Sequence, residues 1–234
     1  MLTISKKLWW VGLFAVTFAY VEGAVVVYLR QMYGIQDLIL SIPPLDQRIA
    51  LVELGRELST LVMLLAVGWA AGRSLQTKLG FAFFAFGLWD VFYYVWLKLF
   101  INWPESLLTT DILFLFPLPW WGPVIGPVLI AALMVVGGSL AVIADDREHA
   151  VRFSVFELVA LLGGILVMLY SFMKDALMAL PADPDTLSQL RPSTFIWPIY
   201  LTGLIVTGFV ILRATWPVLK IIKDKMKVTN EQIN

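Results

Sequence analysis

Two carboxylates, Glu22 and Asp90, stand deep inside long apolar runs of this sequence. A charged side chain at the centre of a bilayer costs at least about 2.5–3.5 kcal/mol on insertion scales, so each calls for a partner or a role. Glu22 falls roughly 20 Å along its run at about 1.5 Å per helical residue. Arg30, two four-residue steps further, shares a helix face with Glu22 and Val26. A second group, Glu53, Arg56, Glu57 and Thr60, has i, i+3, i+4 and i+7 spacing, which lays all four along one helical stripe. In the next apolar run Asp90 is central, and Tyr94 and Lys98 follow it at four-residue steps. Asp111, in the loop beyond, is placed to join the group from above.

The chemistry open to these residues is narrow. Oxygen-only donors suit a hard divalent cation such as Mg²⁺, Ca²⁺ or Mn²⁺. Buried carboxylates also suit proton binding and release. The interleaved arginines oppose a plain cation cage and favour a zwitterionic or anionic ligand, or internal pairs that break during transport. A structural role competes with all of these. Glu53, Arg56 and Glu57 could lie in the headgroup layer, Arg30 and Lys98 could snorkel, and Glu22 and Asp90 could each be half of a register-fixing ion pair.

Much chemistry is removed by composition. The 234 residues include no cysteine, so disulfides, thiolate ligands and iron–sulfur clusters are not expected. One histidine, His149, excludes bis-histidine haem and makes a histidine-rich zinc or copper site unexpected. Lys+Arg and Asp+Glu balance at 17 each, which offers nothing to nucleic acid. No catalytic set is assigned.

The elements that must hold these side chains are membrane helices. The chain is 60% hydrophobic and 15% charged with mean hydropathy +0.84, far from the composition of a soluble domain. Six segments match the roughly 20 apolar residues needed to cross a bilayer: Leu8–Leu29, Leu51–Gly72, Leu79–Ile101, Trp120–Ala144, Phe153–Met173 and Thr194–Leu219. The expected fold is therefore all-α, a single six-helix bundle over residues 1–219, followed by a basic tail over 220–234. The first segment carries Glu22 and lacks a small-residue cleavage site, so it reads as a retained helix and not a signal peptide. With the N-terminus inside, eleven Lys and Arg residues fall on the cytoplasmic side and six opposite, which predicts both termini in the cytoplasm. The expected location is a cytoplasmic membrane of bacterial or archaeal type.

Finer features follow from Gly, Pro and small residues. The loop over 102–119 predicts a short interfacial helix starting at Pro104 and stopping at Pro117. Gly122–Pro123 and Gly126–Pro127 predict a kinked fourth helix. Gly68/Gly72 and Ala15/Ala19/Gly23 make rows that permit close helix approach, within the chain, in a homo-oligomer or against a membrane-complex partner. Gly137–Gly138 and Gly163–Gly164 mark further close contacts.

Three classes of function fit this sequence. The first is a small ion- or proton-coupled transporter or permeation protein. The second is a membrane subunit of a larger, respiratory-type complex. The third is an intramembrane carboxylate enzyme acting on a lipid-like substrate, for which the usual His, Cys, Asp-rich and Ser/His motifs are missing.

Overall fold

A computed structural model describes residues 3–34, 47–114, 118–181 and 193–233. Six helices occur among them: α1 (Ile4–Tyr33), α2 (Gln47–Ala71), α3 (Leu75–Ile101), α4 (Ile125–Asp146), α5 (Val155–Ala179) and α6 (Trp197–Ile233). Between α3 and α4 lies a two-stranded antiparallel hairpin, β1 (Thr110–Phe114) and β2 (Trp120–Pro123). Five helices, all but α2, are long and apolar enough to cross a membrane, α6 over Trp197–Lys220. α2 has 25 residues but carries Glu53, Arg56 and Glu57 in its first turns. α6 continues as helix through the stretch set apart in the sequence as a tail. The loop segments 35–46 and 182–192 and the tail side chains from residue 221 on lie outside the described residues.

The apolar pattern is that of a protein dissolved in lipid. Large side chains such as Trp9, Tyr28, Leu166, Ile205 and Phe209 point outward, while Ala15, Ala19, Ala85, Ala131 and Ala176 are buried. Where the solvent is as apolar as the interior, helices associate through close packing and small residues. This is a multi-pass membrane-type helical protein with buried charges.

α3 is the hub, packed against α1, α2 and α4. The small-residue rows are used for this packing. A Cβ on Gly68 would stand 2.5 Å from the Lys78 carbonyl oxygen, and one on Gly72 would stand 2.4 Å from the Lys78 nitrogen. Ala15 and Ala19 are fully buried, and Gly23 faces Trp96 and Leu97 of α3. Both rows therefore meet α3 of the same chain. On its other side, Gly80 lies against Gly138, and Gly87 against the Ala131 carbonyl of α4. Trp96 donates to the Val16 carbonyl at 3.0 Å and Lys7 to the Ala71 carbonyl at 2.6 Å, fastening α1 to α3 and α2. Farther along, α5 and α6 pack through Gly164 and Gly203, and Tyr200 of α6 donates to the Gly126 carbonyl of α4 at 2.6 Å.

Two expectations for the middle of the chain are corrected. The interfacial helix from Pro104 does not form: residues 105–108 turn, and 110–114 pair as a strand with Trp120–Pro123. Thr109, Thr110 and Ile112 are β-branched and lose rotamer freedom in a helix, whereas a hairpin satisfies the backbone groups across the pair. The kink inside the fourth helix is also absent, because that helix starts at Ile125 and not at Trp120. Gly122–Pro123 ends β2, and Pro127 is the third helical residue, where a missing N–H leaves no intrahelical bond unmade. The first donors of the helix are met instead by the loop. The Val124 nitrogen donates to the Thr109 carbonyl at 3.0 Å and the Ile125 nitrogen to the Leu107 carbonyl at 2.8 Å.

Candidate functional site

Helical periodicity puts Glu53, Arg56, Glu57 and Thr60 on one stripe, and α2 packs with that stripe toward α1 and α3. Glu53, Glu57 and Thr60 are buried there. Arg56 bridges two helices: its Nη1 pairs with Glu22 Oε1 of α1, and its Nε donates to Glu53 Oε2 at 2.7 Å. Thr60 donates to Glu22 Oε2 at 3.3 Å. One guanidinium thus sits between two buried carboxylates.

A second polar group gathers at the C-terminal ends of α1 and α3 and on β1. Arg30 is nine-tenths buried and stacks on the Trp103 ring, 3.9 Å from its centroid. Arg30 Nη2 lies 3.9 Å from Asp111 Oδ1, close enough for an ion pair and too far for a hydrogen bond. Tyr94 donates to Asp111 Oδ2 at 3.1 Å. Burial pushes the Asp111 carboxyl up to about 6, while Arg30, the Tyr94 hydroxyl and the Ile112 backbone N–H hold it from rising further.

These groups line one cavity of about 380 Å³, within the roughly 300–1,000 Å³ typical of small-molecule sites. Eight of the nine residues singled out in the sequence are on its wall: Glu22, Arg30, Glu53, Arg56, Glu57, Asp90, Tyr94 and Asp111. Lys98 is not. It is exposed, and it donates to the carbonyls of Asn102 at 3.3 Å and Pro104 at 2.9 Å, closing the C-terminal turn of α3. Opposite the charged wall, α4 and α5 present only apolar side chains, among them Ile130, Met134, Leu169 and Phe172. Several polar atoms here have no hydrogen-bond partner among the described residues: Asp90 Oδ2, Arg30 Nε and Nη2, and the indole nitrogens of Trp89 and Trp120. Among the described residues, no three His, Cys, Asp or Glu side chains converge as a metal-ligand group.

Some of the lining was missed in the sequence. Tyr93 follows Asp90 by three residues and shares its face, a signal that was present and unused. Trp103 under Arg30, and Leu169 and Phe172 on the far wall, depend on how distant elements dock, which spacing does not encode. A second, smaller recess of about 140 Å³ lies between β2 and the end of α5. There Lys174 donates to Ser193 Oγ at 2.6 Å and Ser193 donates to both Asp175 oxygens, so its charges are internally matched.

No protein family matches the chain, and no curated protein or solved structure matches it either.

Proposed function

We propose that this protein is a small ion- or proton-coupled transporter or permeation protein. In this reading α2 is the sixth span, both termini are cytoplasmic, and the cavity among α1–α5 and the hairpin is the solute site. One observation carries the reading: ionisable groups from three helices and a hairpin line one cavity large enough for a small molecule. Ion pairs that served only to fix helix register would close on one another. Here only Arg56, Glu22 and Glu53 close in this way, while Asp90 and Arg30 line the same volume with polar atoms that have no hydrogen-bond partner among the described residues.

Transport requires that the cavity communicate with both sides of the membrane, and the absence of cysteine makes this directly measurable. Val26→Cys and Met134→Cys each place the molecule's sole thiol on the wall. In right-side-out and inside-out vesicles, a charged, membrane-impermeant methanethiosulfonate should label both positions from either side. Labelling from one side only would retire transport and leave a one-sided binding or assembly site.

A further inference from the structure

The cavity's carboxylates are not alike, and one of them points to what occupies it. Five carboxylates (Glu22, Glu53, Glu57, Asp90, Asp111) line it against two guanidiniums. Arg56 is already engaged by Glu22 and Glu53, and Arg30 stands beside Asp111. Asp90 is different. Among the described residues its Oδ2 is buried and has no hydrogen-bond partner. The rings around it on α3 are Phe86, Trp89 and Tyr93, with Phe86 and Trp89 edge to face at 5.5 Å and Trp89 and Tyr93 stacked at 6.3 Å. A carboxylate among aromatic faces is the chemistry that holds an organic ammonium, through charge pairing and ring quadrupoles together.

Resting on the reading of this cavity as a solute site, we infer that its cargo is an organic monocation, whose ammonium competes with a proton for Asp90. The apolar or aromatic body of the cargo lies toward Met134, Leu169 and Phe172. Because one carboxylate serves either partner, loading the cation releases a proton, and the two exchange one for one across the membrane. The titratable and charged neighbours facing Asp90 across the cavity are Glu22, Arg30 and Tyr33 from α1, and Glu53, Arg56 and Glu57 from α2. Asp111 faces it from β1, and Tyr93 and Tyr94 lie on its own helix. α4 and α5 contribute no titratable group to the wall. The competing chemistry is a carboxylate on the unpartnered Nε–Nη2 edge of Arg30, a geometry suited to bidentate binding. Asp111 Oδ1, 3.9 Å from Nη2, opposes a second anion there.

Three probes with one ring separate these chemistries: phenethylammonium, neutral 2-phenylethanol and anionic phenylacetate. Binding to the purified full chain is measured by calorimetry in detergent. Phenethylammonium should bind about tenfold or more tighter than 2-phenylethanol, a difference of about 1.4 kcal/mol or more, and phenylacetate should not bind. Its affinity should fall as the pH is lowered and protons compete for the carboxylate. Asp90→Asn should remove both the preference and most of the pH dependence, Asp90→Glu should keep both, and Glu148→Gln should change neither. Should Asp90→Asn fail to fold, Asp90→Glu and the wild-type pH dependence decide the matter. Equal binding of the alcohol, binding of phenylacetate that Arg30→Met abolishes, unchanged binding in Asp90→Asn, or no binding of any probe would each overturn the inference. Phenethylammonium binding with one-sided cysteine labelling would keep the cation site and sink transport. Two-sided labelling without such binding would do the reverse.

Discussion

Carboxylate and arginine meet around the cavity of α1–α3 and the hairpin, and again between α5 and α6, with opposite results. Glu157 at the start of α5 accepts from the Ser154 nitrogen at 2.8 Å, the Ser154 hydroxyl at 2.7 Å and Arg213 Nη1 at 2.5 Å. That arrangement is a capping box with a cation added. Its acceptors are satisfied, and its arginine is 62% exposed. About two turns further along, α5 and α6 touch closely through Gly164 and Gly203. Among α1–α3 the same residue types are buried, and they face a cavity with polar atoms still unmet. A charge inside a membrane protein is therefore not a functional signal by residue type alone. What distinguishes a site from a clasp is whether the surrounding structure finishes its hydrogen bonds.

The largest effect expected from this contrast is at Arg56. Arg56→Met leaves Glu22 and Glu53 buried without their shared cation, and should cost about 3–5 kcal/mol in detergent unfolding. Adding Glu22→Gln and Glu53→Gln should recover much of that loss. A simple sum of the separate losses would mean the three do not act as a unit. Next comes Asp111. Its carboxyl is raised from the ordinary 3.8 to about 6, so the folded chain holds this proton more tightly than the unfolded chain. The stability this confers is complete below about pH 4 and is lost as pH rises through about 6, on the order of 1–3 kcal/mol. Unfolding followed from about pH 4 to about pH 8 should show a decline in the wild type that is smaller in Asp111→Asn.

The adjacent glycines of α5 sharpen the other side of the comparison. A Cβ on Gly164 would lie 2.5 Å from Thr207 Oγ1, whereas one on Gly163 meets nothing within 4 Å. Gly164→Ala should destabilise by about 1–3 kcal/mol through overpacking, and thermal unfolding of Gly163→Ala should match the wild type. The smallest change is expected from Glu157→Gln. It should lower thermal stability slightly and leave phenethylammonium binding untouched. A large binding defect there would show that the two charged regions are coupled.

The site was legible where it rests on helical spacing, and illegible where it rests on docking. Glu53, Arg56, Glu57 and Thr60 share a stripe because a helix repeats every 3.6 residues, and that needs no tertiary information. Asp90 and Glu22 stood out because apolar runs reject charge. Lys98 obeyed the same spacing but had a nearer use, the carbonyls its own helix leaves open at Asn102 and Pro104. The hairpin was hidden for another reason. Leu107–Phe114 is as apolar as a helix, and its strand character appears only when Trp120–Pro123 folds back to pair with it. The same pairing moved both Gly-Pro steps out of the helix interior, so the expected kink and the expected interfacial helix failed together.

The seating of the α5–α6 pair has a mechanical consequence. This pair meets the remainder of the molecule mainly along α4 and strand β2, while Leu169 and Phe172 of α5 form part of the cavity's far wall. The cavity therefore straddles a seam between two bodies, with the ion pairs of Arg30 and Arg56 on one side of it. Sliding along that seam would reshape the chamber without breaking a salt bridge, and the glycine at position 122, where a Cβ would fall 2.6 Å from the Phe172 ring, is where such a movement would meet its first resistance.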